Sequence, residues 1–362
     1  MRSVKISVEL FFIMPDAGGF KMEIAIIGLA QSGKSTLFKI MTNVTAGYGE
    51  TVSRGMAKVP DERFLELVKI FNPEKAIPAA VPFIDINASG EKAWNAVRQS
   101  LSGADAIVHV VDAFTTAQVD EIVSGYRKLS DEMILSDLAM VEGRLEKVLK
   151  MQEQAMGADE KIHRELFPKI KEKLEQGIPL RNIELAEPEI NSIKSFSFLS
   201  LKKELVVLNI TEDGADISNT FMEKSGLKSP AISICCKMES ELAELGDDER
   251  REFLDSLGIE KPAFERIVRE SFSMLGSMYY FTVGEDEVRA WIIKRGMKAP
   301  EAAGVIHKDF ERGFIKAEVV SYEDFIATGK QLQKAKAAGK MRLEGKEYVV
   351  RDGDIINFRF NV

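Results

Sequence analysis

Gly28 to Ser35 reads GLAQSGKS, an unbroken G-x-x-x-x-G-K-S. These residue types at this spacing suit a polyphosphate. Gly28 and Gly33 allow backbone conformations and a close approach that a Cβ would obstruct. The amides of the loop, from Gln31, Ser32 and Gly33, and those of the helix opening at Lys34, Ser35 and Thr36 would then face the phosphates. The Lys34 ammonium would reach the β- and γ-phosphates, and the Ser35 hydroxyl would ligate Mg²⁺. Such a loop needs a strand before it and a helix after it. EIAII (Glu23 to Ile27) is an apolar run suited to a strand buried on both faces. Leu37, Phe38, Ile40 and Met41 recur at near-helical spacing behind the loop.

A metal bound to phosphates also wants a carboxylate. VPFI (Val81 to Ile84) ends in Asp85, at the carboxyl end of a strand, where ligands bind in open α/β sheets. Asp85 is therefore the second Mg²⁺ candidate, acting through water. AIVHVV (Ala106 to Val111) leads to Asp112, and LVVLN ends at Asn209. ISICCK (Ile232 to Lys237) reads as a further strand. Strands alternating with helices predict a mostly parallel sheet with its functional loops on one edge. Asn209 and Glu212 form N-x-x-E, where a guanine-specific loop presents N-K-x-D. The Asp of that loop accepts the guanine N1–H and N2–H₂ pair, and the longer Glu alters the geometry. Adenine loses less by the change, so ATP is expected ahead of GTP.

Between Asp112 and Asn209 the chain turns helical. Ile134, Leu138, Val141, Leu145 and Val148 recur at four-three spacing, and Ile162, Leu166, Ile170 and Leu174 at four-residue spacing. The two runs, joined near Gly157, predict an antiparallel helical hairpin of coiled-coil type inserted between strands. From Tyr279 the texture changes to short strands, turns and basic residues, which predicts a compact β-rich module with one or two helices. Tyr279 to Val362 holds fifteen Lys+Arg against thirteen Asp+Glu, whereas the rest of the chain carries a net charge of −10. A basic carboxyl-terminal lobe beside an acidic body suits contact with RNA.

Composition narrows the field further. The 362 residues are 45% hydrophobic and 29% charged, as in globular chains with room for two or three domains. A net charge of −8 argues against coating duplexes through bulk positive charge, and sequence-specific DNA is not an expected partner. Only two Cys occur, the adjacent Cys235 and Cys236, which fits a reducing cytoplasm and excludes a disulfide framework. His109, His163 and His307 show no metal-ligand spacing. No apolar run approaches a membrane span. Residues 1–21 read as a dispensable extension ahead of a fold that starts at Met22.

The carboxyl-terminal stretch EVRAWIIKRGMKAPEAAGVIHKDFERGFIKAEVVSYEDF, followed by KMRLEGKEYVVRDGDIINFRFNV, is similar to the TGS domain of the YchF subfamily of Obg-like P-loop ATPases/GTPases. DLAMVEGRLEKV, NITEDG and KMESELAEL resemble that subfamily's helical arm, base loop and following loop. The resemblance covers nearly the whole chain from Met22. It implies an α/β P-loop domain in 22–115 and 200–278, a helical insertion in 116–199 and a ubiquitin-like β-grasp module in 279–362. It also implies ATP hydrolysis with tolerance of GTP, association with the ribosome, and a base-side loop containing Cys235, Cys236 and Lys237. Three departures bear on turnover. The first switch, AGYGETVSRG, lacks the family's signature, and Thr51 within it is a candidate Mg²⁺ ligand. Ala88 ends a D-x-x-A where the family has D-x-x-G. Gln31 replaces the Asn that such enzymes associate with a monovalent cation. No general base or arginine finger stands out, so no catalytic residue is assigned. Slow hydrolysis is the expectation, and a nucleotide-responsive adaptor that hydrolyses little is the alternative.

Overall fold

In the computed structural model, residues 22–45, 50–86, 93–256 and 259–361 are described, without the side chains of 93–96 and 247. The 1–21 extension, residues 46–49 ahead of Thr51, and Asn87 and Ala88 lie outside them. The strands are β1 (Ile24–Ile27), β2 (Val52–Lys58), β3 (Lys75–Ile77), β4 (Ala80–Ile86), β5 (Ala106–Ala113) and β6 (Lys203–Ile210). They continue with β7 (Ala231–Ile234), β8 (Ser277–Val283), β9 (Glu287–Lys294), β10 (Phe314–Ser321), β11 (Arg342–Glu344) and β12 (Asp354–Phe360). Two compact units result. One comprises Glu23–Met56 and Pro82–Ile267, and the other includes Ala57–Val81 and Val268–Val362.

The first unit is built on a six-stranded sheet of order β2-β4-β1-β5-β6-β7. β1 runs parallel to both β4 and β5, β5 to β6, and β6 to β7. Continuous Ile/Val/Leu runs make this possible, and Ile24, Val108 and Val207 are each fully buried, as strands of a parallel sheet are. Parallel pairing brings the carboxyl ends of these strands, and the loops that follow, to one edge. The strand expected over Ile232 to Lys237 stops at Ile234. Cys235 caps the helix Cys236–Glu244, its Sγ accepting from the Met238 N–H at 3.4 Å, so the backbone leaves the sheet there.

The helical insertion is the pair Val119–Leu149 and Ala158–Glu175, with Gly157 at the N-cap of the second helix. The expected apolar positions close it: Ile134 and Val141 pack with Leu166, Phe167, Ile170 and Leu174. It is more than a two-helix coiled coil. Ile193 of the short helix Glu187–Ile193 and Phe198 complete the same core, and Phe196 stacks on Phe198.

Two buried carboxylates fix the root of the insertion. Asp137 accepts the Leu199 and Ser200 N–H groups at 2.9 and 2.7 Å. Burial nonetheless raises its carboxyl above the usual range. Glu204 at the start of β6 accepts from Tyr126 (3.0 Å), from His109 Nδ1 (3.1 Å) and from Arg181, which follows the hairpin. Burial pushes the Glu204 carboxyl up, but the Arg181 charge and the bonds from His109 and Tyr126 win and bring it down to about 2.

The second unit carries a mixed sheet of order β11-β10-β12-β8-β9-β3. The hairpin β8–β9, the helix Ala299–Ile306, and β12 placed parallel to β8 between β8 and β10 make this a β-grasp arrangement. From Tyr279 onward the described residues hold four short helices, Ala299–Ile306, Lys308–Arg312, Tyr322–Ala327 and Leu332–Ala337, where one or two were expected. The unit also recruits a segment far away in sequence. β3 adds to the edge of β9 in parallel, and the helix Glu62–Phe71 packs rings onto the unit, Phe64 near Phe281 and Phe71 stacked on Phe325. Arg63 pairs with Asp61 (2.8 Å) and Asp352 (2.9 Å) and lies over the Tyr279 ring. Burial favours a raised Asp61 carboxyl, but bonds from Arg63 and Tyr279 hold it below its ordinary value.

Candidate nucleotide site

β1 runs straight into the loop 28–33, and the helix Lys34–Thr42 begins where the motif requires. The loop's backbone explains its composition. Gly33 sits at φ 95°, in the left-handed region, and a Cβ there would come within 2.4 Å of Asn209 Nδ2. At Gly28 a Cβ would meet Ser32 Oγ at 2.4 Å and the Val110 carbonyl oxygen at 2.5 Å. Gln31 is also left-handed, at φ 64°, an unusual conformation for a residue with a Cβ. Gln31 is exposed, whereas Ser32 is only 1% exposed and its N–H closes a turn onto the Leu29 carbonyl at 3.2 Å. The Ser32 side chain is thus turned into the protein, leaving backbone as its contribution. Lys34 and Ser35 open the helix half-buried, Thr36 is exposed, and Lys34 makes no ion pair among the described residues.

Asn209 joins three parts of the site. Its Nδ2 donates to the Ser32 carbonyl and its Oδ1 accepts the Cys236 N–H, both at 3.0 Å. One buried amide therefore ties the phosphate loop, the end of β6 and the start of the helix after β7. Cys236 is a residue the sequence reading missed as part of this staple; the signal was its position directly after the β7 run, opposite the N-x-x-E loop. Burial pushes its thiol up to about 12, so it packs here as a small apolar group. Cys235 is also buried and spends its sulfur on the helix cap. Glu212 and Lys237, both exposed, come together as an ion pair at 2.8 Å, joining the two loops expected to flank a base. Replacing Asn209 with Ala strands two buried backbone groups, at about 1–3 kcal/mol each. Titration with a fluorescent ATP analogue should show affinity lowered at least about tenfold, and unchanged affinity would remove the staple from the account.

Asp85 is fully buried near the end of β4, with its Cα in register with Ile26 of β1, two residues before the loop. A hydroxyl opening the helix and a carboxylate on the neighbouring strand are oxygen donors of the kind a hard divalent cation takes, so the residue types present fit Mg²⁺. Thr51 is exposed just before β2, which β4 separates from β1. At the same edge Asp112 shapes the turn after β5, accepting the Phe114 and Thr115 N–H groups at 3.1 Å each. No group of His, Cys, Asp and Glu among the described residues forms a metal cluster. His109 and His163 are buried in hydrogen bonds to Glu204 and the Ser192 carbonyl, and no described helix is long and apolar enough to cross a membrane.

A glycine-built loop between a buried parallel strand and a helix, stapled to the loops of two further strands, defines a P-loop nucleotide-binding protein. The chain is 40% identical over 362 residues to the ribosome-binding ATPase YchF of Bacillus subtilis (strain 168), covering 93% of this chain and 98% of that one. It is 33% identical to the Obg-like ATPase 1 of Oryza sativa subsp. japonica, over 94% of this chain and 92% of the rice protein. The solved structure of the Schizosaccharomyces pombe YchF GTPase superposes with a TM-score of 0.82 at 28% identity, covering 94% of this chain and 98% of the other. Residues 278–361 match the family model YchF-GTPase_C, described as a protein of unknown function. The chain belongs to the YchF family of Obg-like P-loop ATPases/GTPases.

Proposed function

We propose that this protein is a slow, Mg²⁺-dependent ATPase with tolerance of GTP that associates with the ribosome in the cytoplasm. The observation that carries the reading is the left-handed Gly33 loop held to Asn209 at the head of the helix Lys34–Thr42. The triphosphate would lie on the amides of Gly28 to Thr36, with the Lys34 ammonium on its outer phosphates. Mg²⁺ would be held by Ser35, by Asp85 through water and by Thr51, and would supply charge neutralisation on the phosphoryl oxygens. Asn209, Glu212, Cys235 and Lys237 would face the base. The Glu212–Lys237 pair supports adenine over guanine, because it engages the carboxylate that would otherwise take the guanine N–H pair. The helical insertion and the carboxyl-terminal module, in the family a TGS domain, would meet the ribosome.

The adaptor reading draws on both switches: the first lacks the family's signature around Thr51, and the second is D-x-x-A at Asp85 to Ala88, where Ala takes a positive φ less readily than Gly. Phosphate release from ATP, measured alone and with purified ribosomes, separates the two. The ATPase reading expects slow release that ribosomes accelerate. Tight Mg²⁺-dependent ATP binding with no release, ribosomes present, makes the protein an adaptor.

A further inference from the structure

At Gly55, β2 lies closer to the helix Lys34–Thr42 than a side chain would permit. A Cβ there would stand 2.6 Å from Thr42 Cβ, 2.7 Å from its Oγ1 and 2.9 Å from its Cγ2. Non-bonded carbons settle at about 3.5–4.0 Å, so a methyl group would push strand and helix apart by about 1 Å. Thr42 cannot turn aside. It is buried and β-branched, and its Oγ1 donates to the Phe38 carbonyl at 2.7 Å and accepts the Val44 N–H at 3.2 Å. Glycine inside a strand weakens it and marks such a close approach.

The contact fixes a level as well as a distance. β2 neighbours β4, and the Val59 N–H just past β2 bonds the Ala79 carbonyl just ahead of β4 at 2.8 Å, so these two strands run antiparallel. β4 is parallel to β1, so β2 starts at the edge where β1 ends and the helix opens. From Gly55 back to Thr51 along β2 is about 13 Å at the rise of a strand. From Thr42 back to Ser35 along the helix is about 10 Å at the rise of a helix. Seating Gly55 on Thr42 thus brings residues 35 and 51 to nearly one level. The register is carried past the strand end by Glu50, whose carboxylate accepts from the buried Ser53 hydroxyl at 3.2 Å, with Thr51 between them in the chain.

We infer that Gly55, seated on Thr42, is a positioning residue for the metal site: it sets the depth of β2 on the phosphate-loop helix and so delivers Thr51 opposite Ser35, which rests on the reading of those two hydroxyls as Mg²⁺ ligands. Gly55 acts through the strand and touches neither nucleotide nor metal. A displacement of about 1 Å is enough to matter, since supporting shells must hold such sites more tightly than that.

Calorimetric titration of the full-length chain with a non-hydrolysable ATP analogue, with and without Mg²⁺, reads the gain in affinity that the metal confers. Gly55→Ala should cut that gain at least about tenfold, the scale on which supporting residues alter metal affinity. Affinity without Mg²⁺ should stay at the parent level. Thr42→Gly removes all three crowding atoms, so in the double variant Gly55→Ala/Thr42→Gly the gain should return, although that chain melts below the parent. A glycine with a merely structural role would lower the melting temperature and leave the Mg²⁺ gain untouched. Thr51→Ala should lose the gain as Gly55→Ala does. A parent with no Mg²⁺ gain, or a Thr51→Ala variant that keeps it, defeats the metal reading and the positioning role with it. Loss of the gain in Thr51→Ala beside full gain in Gly55→Ala overturns the positioning role alone. If Gly55→Ala by itself does not fold, the double variant decides: full gain supports the role, and a folded chain without the gain overturns it.

Discussion

Arg181→Met will cost about 3–5 kcal/mol of stability at neutral pH, because it removes the cation from a carboxylate that is fully buried. In the parent, the Glu204 carboxyl falls from 4.5 to about 2 on folding. A lowered carboxyl contributes stability above its unfolded pKa, and that stability is lost as pH falls from about 4.5 towards 2. In the variant, burial prevails over the remaining hydrogen bonds and the folded carboxyl rises, so Glu204 takes up a proton instead. The deficit is therefore largest near pH 7 and narrows on acidification. Urea unfolding midpoints of parent and variant at pH 7 and pH 4 provide the measurement, and a deficit that stays constant would exclude Glu204 as its source. Because Glu204 and His109 lie on the strands that carry Asn209 and Asp112 near their carboxyl ends, nucleotide affinity should weaken along with stability.

The second large effect belongs to Lys34. Removing one preorganised charge donor from a transferring phosphoryl group typically costs about 10²–10³ in rate. Lys34→Ala should lower kcat/KM for ATP by at least about 100-fold. Thermal stability should stay near that of the parent, since the ammonium makes no ion pair among the described residues. That split between activity and stability separates a phosphate ligand from a structural residue. Equal turnover by parent and variant would place the chemistry elsewhere.

The phosphate loop could be read from the sequence because its physics is local. Left-handed backbone at residue 33, close approach at residue 28 and a strand–loop–helix order each demand residue types visible within a dozen positions. The helical insertion was legible for the same reason, through the spacing of Ile134, Leu138, Val141, Leu145 and Val148. Long-range pairing was not. β3 joins β9 across more than two hundred residues, and nothing in KAI marks it as the edge of a carboxyl-terminal sheet. Glu204 sits beside Lys203 at the start of an apolar strand and reads as solvated, but Arg181 and Tyr126 make its burial possible. The end of β7 was misjudged because a cysteine cap looks like two more apolar strand residues. The Asn209 staple lay between these cases: the Asn was visible, and its partner Cys236 depended on where the strand stopped.

Calorimetric titration with non-hydrolysable ATP and GTP analogues, each with and without Mg²⁺, bears most directly on the loop from Gly28 to Ser35. Binding should saturate near one nucleotide per chain, strengthened by Mg²⁺ and tighter for the ATP analogue. Guanine bound at least tenfold more tightly would contradict the role given to Glu212, and no heat with either purine at saturating Mg²⁺ would contradict the nucleotide site as a whole.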